Sequence, residues 1–232
     1  MNVEALYHLI MDLHSRRSRE YHVRVNFSLW DSEFKERFRF SCAEVEEILT
    51  DIGVYLKNDK EFYYGLEPHH RFLLALRYYA SGDFCYSVGD SHGISKTAVH
   101  ASVSRVTVIL NEVYFEEVVA WPADEEARKL IAGQFCATHR FPGVCGVIDG
   151  TLIEILAPSD NENQFVDRKG KHSLNVMAIA GPDYQFLGIN ANWPGAVHDA
   201  RVLRESKIYQ RFNEGWRPIP NGVLIGDSAY PL

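Results

Sequence analysis

An α+β fold is what this sequence predicts: a helical N-terminal domain over 1–140, followed by a mixed α/β domain over 141–232. Before residue 141, apolar residues recur at the three- and four-residue spacing that lines one face of a helix. After it come short runs rich in branched residues, separated by Gly, Pro, Asp and Asn, as strands and turns require. At 232 residues, 46% hydrophobic and 24% charged, the chain is long enough for one large core or two small ones and ordinary for a globular protein.

Val45, Ile48, Leu49, Ile52 and Leu56 make the first helical stripe, and Ser41 with Glu44 makes its capping box. Phe72, Leu73, Leu76 and Tyr79 make the second, opened by Pro68 and closed at Ser81-Gly82. Val99, Val103, Val106 and Leu110 make the third, with Ser95 as N-cap. A short helix is expected near WPADEEARK, where Pro122 and three acids suit a helix start. Beyond residue 141 the strand-like runs are VCGVID, TLIEIL, NVMAIA, FLGINA and GVLIGD. A single helix, DARVLRESKIYQRF, interrupts them, with Val202, Leu203 and Tyr209 facing inward. The expected order is three strands, a helix and a strand.

No apolar run reaches the ~18 residues that span a bilayer, and the N-terminus lacks the marks of a secretory signal. Cys42, Cys85, Cys136 and Cys145 are widely spaced, without metal-ligand spacing, and read as buried free thiols of an intracellular protein. A net charge of -7 argues against a surface that grips nucleic acid unaided. It does not exclude a local basic groove, and acids gathered around a metal would themselves lower the isoelectric point.

Residues 84–110 place a short helix, a turn at Gly93 and a second helix in helix-turn-helix order. The second helix carries Lys96, His100 and Arg105. It docks on DNA in one reading and closes a packing hairpin in the other. Asp83 and Asp90 nearby leave its exposed face thinly basic.

Three aspartates carry the candidate chemistry. Asp149 ends the run VCGVID, Asp199 opens the helix after the third strand, and Asp227 ends the fourth strand. With the first and last strands adjacent, acids at their ends would lie side by side, and a helix packed on the sheet would bring Asp199 to the same spot. Such a cluster repels itself unless cations neutralise it. Two Mg²⁺ or Mn²⁺ ions are the usual solution, and they clamp both reacting oxygens of a phosphodiester. Taken singly, each acid also reads as a turn or a cap.

FPGVCGVIDGT, DRKGKHSLNV, NWPGAVHDARVL and GDSAYPL, in that order, resemble successive motifs of the PIF/Harbinger transposase superfamily, and within it the harbinger transposase-derived nucleases. The resemblance extends more loosely to LALRYYASGDF and GISKTAVH. It implies an RNase H-like domain behind a helical region, DNA as substrate, and Asp149, Asp199 and Asp227 as catalytic metal ligands. It also implies a later glutamate with no counterpart here, so the domain is expected to be incomplete at its C-terminus. A Myb-like partner that supplies DNA binding and nuclear import is implied too. The nucleus is the expected location, with the cytoplasm as the alternative, although RRSR at 16–19 is a thin import signal.

Around these acids, Arg168, Lys169, Lys171 and His172 form a basic turn that either holds DNA phosphates or is a solvated hairpin tip. His172, Ser173 and Asn175 are alternatively read as orienting the neighbouring strands. His198 is read as a donor to a metal-holding carboxylate, as a general acid-base or as a helix-start histidine. Trp193-Pro194-Gly195 reads as a rigid turn presenting His198 and Asp199. The leading functional expectation is a metal-dependent DNA nuclease. The rival is an inactive, truncated transposase serving as a DNA- or protein-binding module, whose open sheet edge would favour self-association.

Overall fold

The computed structural model describes residues 31–57 and 65–230. The run RRSR at 16–19 lies outside them. The chain divides into two compact units, Met1–Val113 and Tyr114–Leu232. The change of texture near residue 141 marks where strands begin, whereas the units part earlier along the chain.

In the first unit α1 (Asp31–Phe38) buries Phe34 and Phe38, and α2 (Cys42–Ile52) starts on the expected capping box. Leu56, the last residue of the first stripe, is buried from a following 3₁₀ turn, Gly53–Leu56. α3 (Pro68–Ser81) begins on proline and ends at Gly82 with φ 65°, the left-handed conformation that favours glycine. It buries Phe72 through Leu76. Tyr79 departs from the predicted stripe: it is exposed, and its hydroxyl bonds with Thr107 Oγ1 at 2.6 Å.

α4 (Cys85–His92) ends at Gly93, φ 63°, and α5 (Lys96–Val118) follows. Ser95 Oγ accepts the Ala98 N–H at 3.3 Å, as the N-cap reading requires. The turn is tight, because a Cβ on Gly89 would stand 2.4 Å from the Ile94 carbonyl oxygen. Leu74, Val88 and Val99 form the small core between these helices.

The second unit opens with α6 (Glu125–His139), longer than the short helix expected. Asp124 is its N-cap, accepting the Ala127 N–H. β1 (Val144–Glu154), β2 (Ser173–Ala180), β3 (Phe186–Pro194) and β4 (Val223–Ile225) form one sheet in the order β3-β2-β1-β4. β1 pairs antiparallel with β2 and parallel with β4. A four-residue α7 (Glu162–Phe165) lies between β1 and β2.

Two sequence expectations are corrected here. VCGVID and TLIEIL are not separate strands, because Asp149 and Gly150 pair with Ala178 and Met177 in an unbroken ladder. The helix after β3 is two, α8 (Asp199–Arg204) and α9 (Lys207–Asn213). The break comes at Glu205-Ser206, where the buried Ser206 side chain turns to cap α9 by accepting the Tyr209 N–H. The cysteines are free thiols, but only Cys145 is buried; Cys42 and Cys136 are exposed positions of α2 and α6.

The core of this unit gathers Ile131 and Phe135 of α6, Ile148, Met177, Ile179 and Leu187 of the sheet, Val202 of α8, and Tyr230. All lie over one face of the sheet. Val147, Asp149, Thr151 and Ile153 alternate to the other face and are exposed. Among the described residues, no helix is long and apolar enough to cross a membrane.

Candidate active site

The parallel pairing of β1 with β4 ends at Val147 beside Ile225. Asp149 stands two residues further along β1, and Asp227 stands two residues past β4, not at its end as expected, so each follows the last parallel pair by the same step. Close packing there depends on Gly226, whose Cβ would lie 2.7 Å from Ile148 Cγ2 and 3.3 Å from the Ile148 carbonyl oxygen. Both aspartates are exposed. Asp149 is inside β1, not at its end, and its Oδ1 accepts the Gly150 N–H at 2.8 Å. Asp227 Oδ1 accepts the Ala229 N–H at 2.9 Å, which bends the chain so that Tyr230 folds back into the core.

Asp199 approaches β1 from the other side. A Cβ on Gly150 would meet Asp199 Oδ1 and the Tyr230 hydroxyl, each at 2.7 Å. Gly150 alternates with Asp149 along the strand, so Asp199 lies on the covered face while Asp149 points to the open one. Asn175 on β2 fixes Asp199: its Nδ2 donates to Asp199 Oδ1 and to the Val197 carbonyl, both at 2.8 Å. Hydrogen bonds to charged groups are worth about 1.5–3 kcal/mol. Burial first, then the negative charges of Asp199, Asp149 and Asp227, push the Tyr230 hydroxyl far above the ordinary tyrosine range. All three carboxylates are thus felt at one phenol.

His198 is the N-cap of α8, with Nδ1 accepting the Ala200 N–H at 3.2 Å. Trp193 and Pro194, expected in a turn, are instead the last residues of β3, paired with Asn175 and Leu174, and the turn begins at Gly195, which donates to the Ser173 carbonyl at 2.8 Å and where any Cβ would crowd Ser173 Oγ. His172 is paired with Glu162, with Nε2 to Oε1 at 2.9 Å.

The basic turn is organised by a residue the sequence reading passed over. Asp167 is buried, and its Oδ1 accepts the Lys169 and Lys171 N–H groups while Oδ2 accepts the Ser173 hydroxyl. An aspartate three residues before a glycine was the available signal. The Lys171 backbone N–H, above all, holds the Asp167 carboxyl below the usual carboxylate range; the Lys169 N–H and Ser173 add to this against burial. Arg168 and Lys169 are exposed, whereas Lys171 is paired with Glu154. On α5, Lys96 sits 4.7 Å over the Tyr86 ring, and Arg105 donates twice to the Tyr55 carbonyl.

Residues 148–232 match the family described as DDE superfamily endonuclease. The human protein named "Putative nuclease HARBI1" is 31% identical over 202 residues, 87% of this chain and 57% of the relative. The chain is thus similar to Harbinger transposase-derived nucleases over most of its own length. The Xenopus laevis protein of the same name is 27% identical over 195 residues, 84% of this chain and 55% of its own. An Arabidopsis thaliana protein named "Protein ALP1-like" is 27% identical over 180 residues, 72% of this chain and 43% of its own. The chain therefore spans about half the length of the curated relatives it matches. No solved structure gives a significant match. The DDE endonuclease domain is RNase H-like, and the four-stranded mixed sheet is in keeping with it.

Among the described residues, no three His, Cys, Asp or Glu side chains converge as a ready-made metal site. A hard divalent cation needs less, since Mg²⁺ is commonly held by one or two carboxylates and keeps several waters. The exposed pair Asp149 and Asp227 fits that chemistry. Asp199 lies across β1, bonded to Asn175.

Proposed function

We propose that the protein is a divalent-metal-dependent DNA nuclease of the Harbinger-derived type. The single observation that carries the reading is that Asp149 in β1 and Asp227 just past β4 each lie two residues beyond the last parallel pair and are exposed, in a chain whose residues 148–232 match the DDE superfamily endonuclease family. These two carboxylates would hold Mg²⁺ or Mn²⁺. When bound, the cation supplies Lewis-acid stabilisation of the phosphodiester and lowers the pKa of an attacking water. The chain's own residues supply the rest. The ladder of β1 with β2 and the turn at Asp227 fix the carboxylates in place. Arg168 and Lys169, exposed on the turn pinned by Asp167, hold DNA phosphates and position the strand without reading its sequence. Separately, α4, the Gly93 turn and α5 of the first unit would dock on DNA in their own right.

A net charge of -7 supports a partner protein, of the Myb-like class, that brings DNA to the nuclease in the nucleus. With Mg²⁺ or Mn²⁺ and supercoiled plasmid, the protein nicks the substrate, and Asp149→Ala abolishes nicking. Cutting retained by Asp149→Ala would overturn the assignment. One observation favours a second reading, a catalytically silent DNA- or protein-binding module: the absence, among the described residues, of a three-residue metal cluster. That module would retard DNA equally with and without EDTA and leave the plasmid intact.

A further inference from the structure

Beyond the cation pair itself, we infer that Asp199 is a positioning residue and not a cation ligand: with Asn175 and Tyr230 it forms a latch behind β1 that sets the Asp149–Asp227 pair. The inference deepens the nuclease reading and rests on it only for the cation.

The latch is defined by four strands of contact from four parts of the second unit. Asn175 on β2 donates to Asp199 Oδ1 at 2.8 Å and, through the same nitrogen, to the Val197 carbonyl that leads into α8. Gly150 on β1 presents the gap in which Asp199 Oδ1 and the Tyr230 hydroxyl both lie, each 2.7 Å from where a Cβ would stand. Only glycine allows that approach. Tyr230 completes the path to the other strand, because its N–H donates to the Asp227 carbonyl at 3.1 Å. Fixing the Tyr230 ring therefore fixes the turn that carries Asp227, and fixing Gly150 fixes the residue next to Asp149.

A second observation points the same way. Asn175 Oδ1 and the Tyr230 hydroxyl are buried side-chain atoms without a hydrogen-bonding partner. A buried polar atom in that state costs stability that a same-shaped apolar residue would avoid. Both border the Asp199 carboxylate, within a core otherwise built from Ile148, Met177 and Val202. Polar groups concentrated there serve the carboxylate, and with Asp149 directed to the opposite face of β1, that carboxylate is not available to a cation shared with Asp149.

The test is a double-mutant cycle on Asp199→Asn and Asn175→Ala, read twice. In EDTA, thermal unfolding is expected to be non-additive: the double variant loses no more Tm than the larger single loss. In a Mn²⁺ titration, each single variant is expected to weaken binding about tenfold, as partners behind a ligand do. Asp199→Asn should then weaken it no further in the Asn175→Ala background. Additive Tm losses, or a further loss of Mn²⁺ in that background as deep as that of Asp149→Asn, overturn the latch. If Asp199→Asn does not fold, Asp199→Ser replaces it in the same cycle. Should the wild-type protein bind no Mn²⁺, the cation reading fails by itself and the EDTA cycle still decides the latch.

Discussion

Gly195 and Ser173 touch so closely that a single methyl group on Gly195 would stand 2.1 Å from Ser173 Oγ and 2.8 Å from the Ser173 carbonyl oxygen. The neighbouring backbone cannot yield, since the Phe165 carbonyl also lies 3.0 Å away. Overpacking of this kind costs about 1–3 kcal/mol. Gly195→Ala should lower the unfolding free energy by that amount in denaturant melts, and should displace the loop that leads to His198 and Asp199. Wild-type stability in this variant would refute the close packing of the turn on β2.

Asp167 makes stability depend on acid pH. Its carboxyl titrates below the ordinary value of about 4 because the folded turn bonds to its charged form. A depressed folded pKa contributes stability that is present above the unfolded pKa and is lost as pH falls from about 4 toward the folded value. The Lys171 and Lys169 amide resonances should titrate together below that range, and Asp167→Asn should flatten the acid limb of the stability profile. Amide midpoints at or above the ordinary value would contradict the hydrogen-bonded turn.

The basic residues divide into free and engaged. Arg168→Glu with Lys169→Glu should weaken DNA binding to a similar degree on every sequence and reduce the salt slope by about two, one unit per phosphate contact. Lys96→Glu is the informative change on α5. Arg105→Glu also removes two hydrogen bonds to the Tyr55 carbonyl, so its effect mixes binding with stability. Filter binding at several salt concentrations reads these effects. An unchanged salt slope in the Arg168/Lys169 double variant removes the turn from the DNA surface.

Much of the fold was legible because local chemistry decides it. The Ser41–Glu44 box, the Pro68 start and the left-handed stops at Gly82 and Gly93 are signals that act within a few residues. The order of strands was legible for the same reason. Sidedness was not. Asp149-Gly150 carries a turn signal, yet β2 supplies an uninterrupted ladder, and a strand that continues through Asp149 sends Asp149 and Gly150 to opposite faces. That one fact separates Asp199 from Asp149. Asn175, Gly150 and Tyr230 converge from three elements distant in sequence, so spacing along the chain could not reveal what they share. Asp167 was hidden differently: its charge was overshadowed by the four basic residues it organises.

The most direct measurement is a calorimetric titration of the protein with Mn²⁺, repeated on Asp149→Asn and Asp227→Asn. The pair of carboxylates predicts binding by the wild-type protein and its loss, by tenfold or more, in each variant, with far-ultraviolet circular dichroism unchanged. Equal Mn²⁺ binding by the wild-type protein and both variants would show that Asp149 and Asp227 do not hold a cation together, and the nuclease reading would fall with it.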